Sequence, residues 1–356
     1  GQLPYEHHGR GADRAGGDLH LARPGVAGEE LADHGRDAFY EGRIARVIAD
    51  FMAEVGGFVT REDLAAHRSE WVQPVSTTYR GVEVWELPPN GQGIAALQIL
   101  NILEQFDVAQ MGFGSADHVH LFLEAKKLAF EDRARFYADP AYMDVDVDRL
   151  VSKDYARERK ALIDMGKAAR AYPHGDPAVL RDGDTIYLTT ADADGNIASL
   201  TASNGEGCSY VLPGTGIMLN NMLGEEDLNP GGFNRWIEGA RLSSMMSPTV
   251  VETADGTRIA LGSGGSNRIR SAITQVLVNL LDFGMSPKAA VGAPRIHLEG
   301  EKLSFEPGIP EDALADLRAA VPEHHGWPER NLFFGGTHTV AVTSDGRFDG
   351  AGDPRR

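Results

Sequence analysis

Apolar residues recur with a helical period from Ala38 through Ile44, Val47, Ile48 and Met52, and Gly56 and Gly57 end the run. Thr60, with Asp63 three positions on, has capping-box spacing and opens a short helix, TREDLAAH. From residue 75 to 87 the pattern changes to alternation with β-branched residues (VSTTYRGVEVWEL), which predicts a strand or hairpin. The turn-rich junction PPNGQG follows, then IAALQILNILEQF, apolar enough to be a buried helix. Ser115 stands where an N-cap belongs, ahead of a long helix, ADHVHLFLEAKKLAFEDRARFY.

The second half of the chain arrives in hairpins. TIYLTTAD (185–192) and NIASLTAS (196–203) flank a tight-turn signal, and TVVE (249–252) faces RIALG (258–262) across Asp255 and Gly256. THTVAVTSDGRFDGAG reads as a third hairpin near the end. GSGGS (262–266) leads from a strand into the helix NRIRSAITQVLVNLLDF, which Gly284 closes. Strands arriving by hairpin and helices in blocks define an α+β class, with helices stacked on antiparallel sheets. No repeat of roughly 20–50 residues is visible. The first 36 residues, rich in glycine, histidine and arginine and without periodicity, are expected to be poorly ordered or divergent.

Composition narrows the function. Across 356 residues, 34 Lys and Arg face 52 Asp and Glu, a net charge of −18, which argues against nucleic acid and anionic lipid as partners. The 42 glycines exceed the roughly 25 of average usage, so many turns or close backbone approaches are expected. A lone cysteine, Cys208, makes no intrachain disulfide, and no Cys/His spacing suits zinc. No apolar run of about 18 residues predicts a membrane-spanning helix. The chain starts at Gly1 without a signal-peptide pattern, the expectation for a processed or partial chain.

Three segments carry candidate chemistry. GSGGS, between a strand and a helix, would turn backbone N–H groups inward to cradle a phosphate or a developing oxyanion, or would serve as a plain turn. LSSMMSPT (242–249) offers paired hydroxyls for a carboxylate or for capping a loop. Asp184-Thr185 begins a strand. The histidines are expected to be solvated: His118 and His120 are two apart on a helix, a poor metal pair, and His324 and His325 sit in a polar loop beside Pro322. His7 and His8 fall in the aperiodic start, and Glu225-Glu226-Asp227 reads as a solvated acidic face. No Gly-x-Ser-x-Gly elbow anchors a Ser-His-Asp triad.

In their order, these segments resemble the gamma-glutamyltransferase (glutathione hydrolase) family. The matching strings are DAFYEGRIA (37–45), GGFVTREDLAAH (56–67), YRGVEVWELPPNGQG (79–93), LQILNILEQFD (97–107) and DTIYLTTADADGN (184–196). They continue with GIMLNNM (216–222), LSSMMSPT (242–249), LGSGGSNRI (261–269), APRIH (293–297) and AGDPRR. The resemblance implies a four-layer αββα sandwich of N-terminal-nucleophile hydrolase type, incomplete here at its N-terminus. It implies a proenzyme cut between Asp184 and Thr185, with residues 1–184 the end of a large subunit, 185–356 a small catalytic subunit, and both parts of one sandwich. Thr185 would be the nucleophile, its freed α-amine (pKa about 7.7–8.0) the base. Gly264 and Gly265 would form the oxyanion hole, Ser203 would stand beside the nucleophile, and Ser243, Ser244 and Asn204 would bind substrate. No metal or organic cofactor is implied. The substrate would be glutathione or another γ-glutamyl compound, and the compartment the periplasm or exterior.

Four departures from the family pattern bear on substrate. Tyr187 replaces a histidine two residues past the nucleophile, Met222 replaces a polar residue, Glu225 stands for an aspartate, and LSSMMSP carries one methionine more than usual. Glu225 would hold a substrate ammonium group, whereas Met222 suits an acyl group without an amine, as in a glutaryl or cephalosporin acylase. A non-catalytic fragment is the alternative of a different class.

Overall fold

The computed structural model describes residues 26–142, 146–169, 185–225, 228, 237–321 and 323–356. The chain divides into two compact units, Gly1–Ser69 with Tyr210–Met218, and Glu70–Ser209 with Leu219–Arg356. The 184/185 junction falls inside the second.

In the first unit, α1 (Val26–His34), α2 (Arg36–Tyr40), α3 (Arg43–Val55) and α4 (Arg61–Ala66) follow one another. The helix expected to run unbroken from Ala38 is split between Tyr40 and Arg43, where the chain at Gly42 passes so close to Ala38 that a Cβ would lie 2.7 Å from the Ala38 carbonyl oxygen. α3 buries Ile44, Ala45 and Ile48 and stops at Gly56, whose φ of 73° is left-handed. Thr60 and Asp63 form the expected capping box at α4. Of the stretch expected to lack order, residues 1–25 lie outside the described residues, whereas 26–34 form α1, tied in by an ion pair between Glu30 and Arg43 at 2.7 Å. Phe51 stacks on Tyr210 with ring centroids 4.8 Å apart.

The second unit opens with β1 (Val75–Tyr79) and β2 (Val82–Glu86), a hairpin turning at Arg80 and Gly81, both at positive φ. α5 (Ile94–Leu103) is buried at every residue, as its composition requires. α6 (Val108–Met111), α7 (Ala116–Phe136), α8 (Val147–Leu150) and α9 (Lys153–Lys160) follow, α7 capped by the Ser115 hydroxyl. β3 (Thr185–Ala191) and β4 (Ile197–Ser203) form the second hairpin, and β5 (Thr249–Glu252) and β6 (Arg258–Gly264) the third. Then come α10 (Arg268–Leu281), α11 (Pro287–Gly292), β7 (Ile296–Glu299), β8 (Lys302–Phe305), α12 (Glu311–Ala320), β9 (Glu323–Gly326), β10 (Gly336–Val342) and β11 (Phe348–Ala351).

β1-β2-β5-β6-β10-β11 form one six-stranded antiparallel sheet. α5 and α10 pack on one face of it, with α7 behind α5, and the β3–β4 hairpin lies on the other. Helix, sheet and second sheet are three of the four expected layers. The hairpin turns Thr185 and Tyr187 inward, while Ile186, Leu188 and Leu200 on its outer face are 69%, 54% and 57% exposed. β7, β8 and β9 make a small separate sheet.

Two histidine expectations are corrected. His118 is buried on α7, where its Nδ1 accepts the Gly114 N–H at 3.1 Å and burial lowers its pKa to about 4. His324 and His325 lie on a strand, β9, rather than in a loop, though both remain exposed.

A buried ionic network holds the end of the sheet. Asp353 accepts from Arg295 (2.7 Å), from Arg355 (3.2 Å) and from the Thr337 N–H (2.7 Å), and Arg355 also pairs with Glu306. Burial opposes ionisation of Asp353, but the two guanidinium groups and the backbone donors outweigh it and hold the carboxyl below its usual range. Its stabilisation is therefore present above the ordinary aspartate pKa and lost as pH falls through the lowered one. Asp353→Ala leaves two buried guanidinium groups short of charge, so urea denaturation at neutral pH is expected to show a loss of about 3–5 kcal/mol. The difference from the parent should shrink in strong acid.

Candidate active site

Thr185 opens β3 and is 4% exposed. The antiparallel register sets it opposite Ser203, and their hydroxyl oxygens are 3.0 Å apart. Ser203 Oγ also accepts the Gly205 N–H at 3.0 Å. Asp184, and with it the expected cleavage bond, lies outside the described residues.

Gly264 ends β6 opposite Gly336 of β10. A Cβ at Gly264 would collide with the Thr185 carbonyl oxygen and lie 2.6 Å from Arg356 Nη2, so only glycine admits the first residue of β3 at this distance. Gly265 has a φ of 120°, and Ser266 is left-handed at 52°. The loop then enters α10, so GSGGS joins strand to helix beside Thr185, as its spacing predicts.

The turn after Ser203 gathers a second group. A Cβ on Gly205 would strike Glu225 Oε1 and Asn221 Oδ1, which places both side chains on that turn. Asn221 Oδ1 accepts the Glu206 N–H at 2.8 Å, and the Asn221 N–H donates to the Asn204 carbonyl at 3.3 Å. Glu225, expected on a solvated face, is half-buried against this turn; Glu226 and Asp227 lie outside the described residues. Asn221 is a residue that the sequence reading missed, its only signal being the paired asparagines of GIMLNNM.

Ser243 and Ser244 belong to an extended segment held by backbone bonds. Gln92 N–H donates to the Ser244 carbonyl at 2.9 Å, Ser244 N–H to the Asn90 carbonyl at 3.0 Å, and Asn90 Nδ2 to the Leu242 carbonyl at 2.5 Å. PPNGQG, read from sequence as a junction, is thus a clamp on the serine pair. Met245 carries the segment to the glycine loop, its Sδ 3.8 Å from Ser266 Oγ.

Tyr187 lies behind Thr185 on the same inward face. Its ring packs on Gly262, stacks on His338 and donates or accepts at Ser199 Oγ (2.8 Å). Burial raises its pKa, so it is neutral in the ordinary pH range. Among the described residues no group of three or more His, Cys, Asp or Glu side chains is placed to hold a metal ion, and no helix is long and apolar enough to cross a membrane.

The arrangement joins a threonine hydroxyl, a partner hydroxyl, close-packed glycine backbone and a nearby carboxylate on a two-sheet scaffold. The fold is that of the N-terminal-nucleophile hydrolases. Within that class the chain belongs to the gamma-glutamyltranspeptidase family, whose sequence profile matches residues 20–356, beginning ahead of the resemblance read from residue 37. It is 40% identical over 324 residues to the acylase ACY 1 proenzyme of Pseudomonas sp. strain SE83, covering 90% of this chain and 57% of that protein. The glutathione hydrolase proenzyme of Escherichia coli K12 is 35% identical over 344 residues, covering 92% and 59%. The crystal structure of a cephalosporin acylase from Bacillus halodurans superposes with a TM-score of 0.80 at 34% identity, over 92% of this chain and 60% of that one. The chain thus spans less than two thirds of these relatives.

The collisions at two glycines give a structural test. Gly264→Ala and Gly205→Ala are each expected to cost about 1–3 kcal/mol, seen as lower urea midpoints. Unchanged stability in Gly264→Ala would place the start of β3 away from β6.

Proposed function

We propose that the protein is a self-processing, threonine-nucleophile acyl-transfer enzyme acting on γ-glutamyl amides. The observation that carries the reading is the setting of Thr185: first in its strand, buried, hydroxyl on Ser203 and carbonyl against Gly264. Cleavage before Thr185 would free an α-amine of pKa about 7.7–8.0, able to take the hydroxyl proton as the oxygen attacks the donor carbonyl. The developing oxyanion would be met by backbone N–H groups at Gly264 and Gly265, a kind of donor worth about 3 kcal/mol each. The ammonium then returns its proton to the departing amine, and water or an amino acid releases the acyl group from the threonyl ester.

Glu225 beside Gly205 supports a donor that carries an ammonium group, which a partly buried carboxylate pairs with. Ser243 and Ser244 would take the donor's carboxylate. A second reading, a glutaryl or cephalosporin-type amidase on the same nucleophile, is favoured by Met222 at a family polar position and by the 40% identity to an acylase.

Intact-mass analysis of the expressed protein is expected to show two pieces meeting at Asp184 and Thr185, and Thr185→Ala to give one uncut chain without turnover. A Thr185→Ala chain that is still cut there, or still turns over, removes the reading. Between the two donors, Glu225→Gln is expected to raise KM for a γ-glutamyl anilide about tenfold, the loss of one charged hydrogen bond, and to leave a glutaryl anilide unaffected. Equal or faster glutaryl turnover by the parent protein would favour the amidase.

A further inference from the structure

Glu86 ends β2 and is 2% exposed, a buried carboxyl beside the N-terminus of α5 with no cation on it. Its Oε1 is 2.6 Å from Thr249 Oγ1, and the same Thr249 oxygen is 3.2 Å from the carbonyl of Ser247. A threonine hydroxyl has one proton, and a carbonyl can only accept. Both contacts are therefore hydrogen bonds only when Glu86 supplies the second proton. If Glu86 is ionised, it captures the Thr249 proton, and the carbonyl of the buried Ser247 loses that donor. Glu86 Oε2 has no hydrogen-bond partner among the described residues, so an ionised Glu86 would keep Thr249 as its one side-chain donor beside the Leu87 N–H.

The surroundings agree. Glu86 Oε2 occupies the place a Cβ would take on Gly93, at the N-terminus of α5. That helix end favours a negative charge, while burial disfavours it. Burial wins, raising the pKa to about 7, with the Thr249 bond and the Leu87 N–H opposing. The elements packed on β2 bring no counter-charge. Tyr79 of β1 is engaged with Asp282, Glu252 of β5 with Arg258, α5 has no ionisable side chain, and Tyr187 of β3, whose pKa the Glu86 charge would raise further, is neutral.

We propose that Glu86 is a positioning residue that works as a neutral carboxylic acid, donating a hydrogen bond to the Thr249 hydroxyl so that Thr249 in turn donates to the Ser247 carbonyl and, through it, holds the segment carrying Ser243 and Ser244. PPNGQG fixes that segment from one end and the Glu86–Thr249–Ser247 relay from the other. This rests on the reading of the serine pair as the grip on the donor's carboxylate. As pH rises through about 7, the acid ionises, the relay reverses and the grip loosens, whereas Thr185 and Gly264 lie off the relay. The effect falls on KM, and ionisation of the Thr185 amine falls on kcat.

Two measurements on the full-length protein decide it. Infrared difference spectra are expected to show a carboxylic-acid C=O band at pH 6 that disappears with a midpoint of about 7, shifts in Thr249→Val and is missing in Glu86→Gln. Absence of the band in the parent protein overturns the proposal, whatever the substrate is. In kinetics, donor KM is expected to rise about fivefold from pH 6 to 8, the loss of one hydrogen bond, without a matching change in kcat. Glu86→Gln, whose amide donates but does not ionise, should hold KM level with pH, and Thr249→Val should raise it throughout. The same pH rise in Glu86→Gln overturns the proposal. If Ser244→Ala leaves KM unchanged, the serine-grip reading fails by itself, and the infrared band still decides the state of Glu86.

Discussion

Two sheets touch here almost without side chains between them, and the site depends on that contact. Packed sheets ordinarily stand about 10 Å apart with interleaved side chains. On β6 the residues facing β3 include Gly262 and Gly264, which leave room for the Tyr187 ring and for the Thr185 backbone. Gly335 continues the pattern, since a Cβ there would lie 2.5 Å from the Gly264 carbonyl oxygen. The first residue of β3 is thereby set against the strand end and glycine loop of the larger sheet. Part of the glycine excess in the composition is the local cost of this approach.

The buried ions keep the approach in place from the other side. Asp353 receives the Thr337 N–H directly after Gly336, and Arg295 donates to the Phe334 and Gly335 carbonyls, each at 3.2 Å. The network thus grips the very residues that line up with Gly264. A guanidinium can span several acceptors in one plane, which suits a junction of loop, strand and chain end.

Local patterns carried the elements well, and long-range contacts were where they failed. The hairpins β3–β4, β5–β6 and β10–β11, the capping box at Thr60 and the buried α5 were readable because turn chemistry and periodicity are properties of neighbours in sequence. Gly42 was not, since the close pass of its backbone by Ala38, which leaves no room for a Cβ, shows only in the folded chain. Burial of His118 depends on what α7 packs against. The bonds from Gln92 and Asn90 to the segment of Ser244 join residues some 150 positions apart, and backbone groups leave no residue-type signature. Likewise nothing adjacent to Glu225 in sequence points to Gly205. Thr185 and the glycine loop stood out as site candidates only because several weak motifs occur in a recognisable order.

The outer face of the β3–β4 hairpin has a consequence for handling the protein. Two strands alone leave a free edge on each side, and among the described residues no third strand joins them. Ile186, Leu188 and Leu200 lie between those edges, open to water. An apolar ribbon with open edges is the usual starting point for strand-to-strand association, which a net charge of −18 opposes. Salt screens that repulsion within about 10 Å at 0.1 M, so association through the hairpin that carries Thr185 is expected to rise with ionic strength.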